Sequence, residues 1–90
     1  TNSNIDSLSD FNQILGEISF EKKDFPQALT FYLQLFELKL KKKLVDSPSL
    51  EEIYRAIATI YLKMNLFDYS LIYFHRLIDC QKKKYSNLNH

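Results

Sequence analysis

Glycine and proline are nearly absent from this sequence, with one and two residues respectively, so there is little material for the tight turns that join β-strands. Cysteine is scarcer still: Cys80 alone makes no internal disulfide and no zinc-binding spacing, a usage that fits a reducing, cytoplasmic setting. No apolar run approaches the ~18 residues that a membrane-spanning helix needs, and the polar, acidic stretch Thr1 to Asp10 is unlike a secretory signal. A formal net charge of +1 gives no global footprint for nucleic acid or an anionic membrane, and neither is expected as a partner.

What the chain does have is apolar material. Hydrophobic residues make up 46% of it, with six tyrosines and seven phenylalanines, ample for a packed core and too rich for a disordered tail. At 90 residues it makes one small domain, 1–90, of limited stability. Apolar positions recur at spacings of three and four, which predicts an all-α fold. Met64 is the only methionine, so a chain starting at Thr1 is expected to be a fragment.

Slid against itself, the sequence matches best at an offset of 42 residues, the period of an internal repeat. Ser7-Leu8-Ser9-Asp10 falls on Ser49-Leu50-Glu51-Glu52, and in both the serine is a candidate N-cap answered by an acid three residues on. Leu15, Gly16 and Ile18 fall on Ile57, Ala58 and Ile60, and Phe25, Ala28, Leu29 and Tyr32 fall on Phe67, Ser70, Leu71 and Phe74. Repeat 1 covers about 7–46 and repeat 2 about 49–88, each read as two antiparallel helices, giving four helices in two tandem hairpins. The first helix is predicted over Ser9 to Lys22, a turn at Lys23-Asp24, and a second helix with Pro26 in its first turn running to Lys43. In repeat 2, Pro48 or Ser49 opens the third helix, Met64-Asn65-Leu66 breaks it, and the fourth runs to Lys84. The triplets Lys41 to Lys43 and Lys82 to Lys84 then sit at helix C-termini, where the macrodipole favours cations.

Leu15-Gly16, Phe20, Ala28 and Tyr32, with Ile57-Ala58, Tyr61, Ser70 and Phe74, resemble the tetratricopeptide repeat pattern of Leu-Gly, an aromatic, Ala, and an aromatic four later. The likeness covers nearly the whole chain. It departs from the usual unit of about 34 residues in length, in Asn12 and Tyr54 at the tryptophan position, and in Leu40 at the terminal proline position. In length it is similar to the long repeats of kinesin light chains, cell-polarity adaptors and bacterial peptide-sensing regulators.

The resemblance implies a scaffold module for protein–protein interaction, binding a peptide or helix in a groove lined by the first helix of each hairpin. Carried over, the groove positions are Asp10, Gln13, Glu17, Phe20 and Glu21, then Glu52, Arg55, Thr59, Leu62 and Lys63. A second surface is Leu71, Phe74, Leu77 and Ile78, with Tyr85 beyond. In an array the next repeat covers this face, and two units fall below the three or so such arrays need, so further repeats or a second copy are expected there. The alternatives are therefore a structural or self-associating segment of a larger array, or a ligand-sensing regulatory domain. Enzymatic chemistry is not expected. His75, Asp79 and Cys80 form at best a metal half-site with only the terminal His90 to complete it. The carboxylate pairs Glu17/Glu21 and Glu51/Glu52 have no nucleophile or histidine beside them, and the lysine triplets lack interleaved aromatics. No cofactor is expected.

Overall fold

The computed structural model describes residues 2–41 and 47–88, with side-chain environments for 7–41 and 49–84. The fold is all-α, with no strand among the described residues: α1 (Asn2–Glu21), α2 (Phe25–Lys41), α3 (Ser47–Lys63) and α4 (Phe67–Leu88). The chain divides into two compact units, Thr1–Val45 and Asp46–His90. In the first α1 packs on α2, and in the second α3 packs on α4. No helix among the described residues is long and apolar enough to cross a membrane.

The loops explain why the helices stop where they do. In the first unit the amide of Lys22 donates to the Ile18 carbonyl at 3.0 Å, that of Lys23 to Phe20 at 2.9 Å, and that of Asp24 to Ser19 at 2.9 Å. Lys23 takes a left-handed φ of 63°, so the chain turns back and satisfies the carbonyls that a helix end leaves open. Asp24 starts the next helix: its carbonyl accepts from the Ala28 amide at 3.0 Å and its carboxylate from the Gln27 amide at 3.4 Å. Pro26 follows inside the first turn, where its missing N–H is no loss. In the second unit the same bonds join Met64 to Ile60, Asn65 to Leu62, Leu66 to Tyr61 and Ser70 to Leu66, with φ of 64° at Asn65. Every participant stands 42 positions after its counterpart.

Within each unit the helices meet through small residues. Gly16 faces Tyr32 so closely that a Cβ there would lie 2.8 Å from the ring, while Ala28 is fully buried. In the second unit Ala58 is fully buried and its carbonyl accepts the hydroxyl of buried Ser70 at 2.8 Å. Around these crossings Leu35 fills the first unit, and Ile57, Ile60 and Leu77 the second.

Two expectations about the helix ends need correction. Ser7 and Ser49 lie inside α1 and α3 rather than capping them, since these helices begin at Asn2 and Ser47. A solvent-facing cap is worth only about 1 kcal/mol, so it does not prevent another turn from forming upstream. The fourth helix runs on to Leu88, so Lys82 to Lys84 are interior to it, and Lys84 reaches Glu51 at 4.0 Å instead. Lys39 and Lys41 do occupy the last turn of α2; Lys43 lies outside the described residues.

Candidate functional site

The expected groove positions separate by environment. On α1, Asp10, Glu17 and Glu21 are exposed, whereas Gln13 and Phe20 are half-buried. Phe20 is committed to its own unit, meeting Phe25 edge to face at 5.4 Å. On α3, Glu52, Arg55, Leu62 and Lys63 are exposed, and half-buried Thr59 donates its hydroxyl to the Arg55 carbonyl at 2.7 Å. Each set follows one side of its own helix.

The second expected surface is not uniform. Leu71 and Ile78 are exposed and Phe74 is half-buried, but Leu77 is only 5% exposed and belongs to the core. Leu77 lies seven residues after Ser70, on the side of α4 that faces α3, while Leu71 and Ile78 are each displaced by one residue, about 100° around the helix. With Phe67 they form an exposed apolar stripe of their own. Tyr85 is outside the described side chains.

The sequence reading missed the inverted polarity of α1. The face it turns inward carries Ser9, Asn12, Gly16 and Ser19, all buried, with the Asn12 amide donating to the Leu8 carbonyl at 3.0 Å. Four of its large residues point outward: Phe11 is 59% exposed, Ile14 53% and Ile18 46%, with Leu8 beside them. Spacings of three and four keep these on one stripe, flanked by Asp10, Glu17 and Glu21. The helix contains four acids and no base. Spacings of three and four mark apolar faces but cannot assign one to the outside, because apolar faces ordinarily turn in.

Two further features occupy corresponding places in the two units. In the second, four tyrosines line the α3–α4 seam: Tyr61 stacks on Tyr69 at 5.3 Å and 26°, meets Tyr73 at 5.8 Å, and Tyr73 meets Tyr54 at 6.1 Å. The Arg76 guanidinium sits 4.9 Å from the Tyr73 ring centre. Each ring pair contributes about 0.5–1.5 kcal/mol beyond its burial. Burial pushes the Tyr54 and Tyr61 phenols above their ordinary range, with lesser contributions from Cys80 and from Tyr73 respectively. In the first unit the positions 42 residues earlier are Asn12, Ser19, Gln27 and Phe31. No ring stands at Ser19, and a cleft of about 210 Å³ opens there. Leu15, Ile18 and Phe31 give it apolar walls; Ser19, Lys22, Asp24 and Gln27 are its polar residues.

The Cys80 thiol is half-buried, and burial, then the negative charge of Glu51, raise its pKa, which leaves it protonated and a poor nucleophile near neutral pH. His75 and Asp79 beside it are exposed, and no three metal-ligating groups converge among the described residues. Comparison with known proteins found no matching family model, no matching curated protein and no matching solved structure.

Proposed function

We propose that this chain is a protein-interaction module that seats a basic, amphipathic segment of a partner along α1. The observation that carries this reading is the outward apolar stripe of Phe11, Ile14 and Ile18 beside Asp10, Glu17 and Glu21. Aligned apolar surface facing water favours association, and covering each half-exposed side chain contributes about 1 kcal/mol. Acids on one flank, with no base on the helix, favour lysine or arginine on the approaching segment and steer its encounter. An amphipathic helix laid along such a surface places its anchors at spacings of three, four and seven. The long repeats that the sequence resembles support the same class of function.

The test is a titration of the isotope-labelled full chain with a synthetic helical peptide of leucine and lysine, followed by amide chemical shifts. Shift changes are expected along Phe11 to Ile18, lost in the double variant F11D/I18D and retained in L71D/I78D. A leucine–glutamate peptide is expected not to bind. Binding that survives F11D/I18D overturns the proposal, as does the absence of binding.

A second reading rests on the exposed stripe of Phe67, Leu71 and Ile78 on α4, which favours pairing of two chains. Sedimentation checks it: a dimer abolished by L71D/I78D supports pairing, and a monomer at high concentration excludes it.

A further inference from the structure

The cleft of the first unit is the place where the second unit holds a tyrosine ring. Ser19 stands where α3 has Tyr61, Gln27 where α4 has Tyr69, and Phe31 where α4 has Tyr73. The loop hydrogen bonds around both places correspond, those from Ile18 to Ala28 recurring from Ile60 to Ser70. What differs is the side chain: Tyr61 lies stacked on Tyr69 and beside Tyr73, whereas the first unit has the short hydroxymethyl of Ser19 and a cleft lined by it, Gln27 and Phe31. The opening of about 210 Å³ exceeds the roughly 150 Å³ of an apolar cavity that accepts benzene.

We infer that this cleft is a receptor slot for one aromatic side chain, a tyrosine in preference to a phenylalanine, supplied by the bound partner. Phe31 takes the part of Tyr73 as the ring against which the incoming one packs. The rim separates the slot from its filled counterpart: Met64, Leu66 and Tyr69 in the second unit are replaced by Lys22, Asp24 and Gln27, all exposed. A carboxylate, an ammonium and an amide at the mouth suit a phenolic hydroxyl, which both donates and accepts. A ring with an apolar body and a polar tip is the side chain that buries well in such a place. Ile18 belongs both to the cleft wall and to the outward stripe of α1. The slot therefore rests on the reading of α1 as the docking face and adds to it the partner's anchor residue.

The test uses p-cresol, the side chain of tyrosine, titrated into the labelled full chain. Shift changes are expected at Ser19, Gln27 and Phe31, with binding weakened at least tenfold in Ser19→Tyr, which installs the ring of the second unit. Phe31→Ala removes the ring against which the incoming one packs and is expected to weaken binding likewise, so the test does not depend on Ser19→Tyr folding. Tyr61→Ser is expected to open a second p-cresol site in the other unit. A leucine–lysine peptide carrying one tyrosine is expected to bind about tenfold tighter than its alanine version. If p-cresol leaves Ser19 and Gln27 unmoved, or binds Phe31→Ala and Ser19→Tyr as it binds the native chain, the slot is overturned whatever the peptide does. If p-cresol binds as described and no peptide does, the slot stands and the docking role of α1 falls.

Discussion

Ser70 donates its hydroxyl to the carbonyl of Ala58 at 2.8 Å, from α4 across to α3. The pair is buried, and the bond spans twelve residues of sequence, so it ties the two helices where small side chains let them approach. The equivalent place in the first unit holds Ala28 opposite Gly16, with no hydroxyl to donate.

Ser70→Ala removes this donor without leaving an orphan, because the Ala58 carbonyl remains within the hydrogen-bonding pattern of α3. A loss of about 1 kcal/mol is expected, read as a lower urea midpoint with an unchanged slope. Ser70→Leu overpacks the same crossing and is expected to cost about 1–3 kcal/mol.

Gly16→Ala separates two opposed effects. Alanine favours the helix by about 1 kcal/mol over glycine, but its methyl would stand 2.8 Å from Tyr32, forcing the ring to move. The substitution is expected to destabilise the native chain and to stabilise the Tyr32→Ala variant. A double-mutant cycle by urea denaturation reads the change of sign.

Lys23 and Asn65 both take left-handed φ, 63° and 64°. A β-carbon in that region costs about 1–2 kcal/mol, less for asparagine, and glycine avoids it. Lys23→Gly is expected to raise stability by about 1 kcal/mol and Asn65→Gly by less, compared by thermal melting.

Tyr54 and Tyr61 have phenol pKa values raised in the folded state, chiefly by burial. The unfolded chain therefore loses these protons first as pH rises. Their contribution is fully present below the ordinary value of about 10 and declines as pH climbs through the folded values. Denaturation curves from neutral to strongly alkaline pH are expected to show this decline, and Tyr54→Phe with Tyr61→Phe to flatten it. Absorbance near 295 nm is expected to show two tyrosines ionising late.

Much of the chain's local organisation was legible beforehand. The turns at Lys23-Asp24 and Met64-Asn65-Leu66 could be placed because Asp24, Pro26 and Asn65 have strong local preferences, and those preferences act without help from the rest of the fold. The N-termini of α1 and α3 were misplaced because a serine followed by an acid is equally compatible with a helix interior. Leu77 was assigned to an open face because Leu71, Phe74, Leu77 and Ile78 share a broad apolar arc, and only packing decides which part of an arc is covered.

The sequence by itself determined that the chain is helical, where its helices break, and which positions correspond at an offset of 42, because periodicity and turn chemistry are properties of neighbouring residues. Only the tertiary structure decided that α1 turns Ser9, Asn12, Gly16 and Ser19 inward and Phe11, Ile14 and Ile18 outward. It alone showed a cleft at Ser19, whose counterpart Tyr61 stacks on Tyr69 in the second unit. Close approach of two helices selects small residues for the interface whatever their polarity, and that choice belongs to the pair of helices.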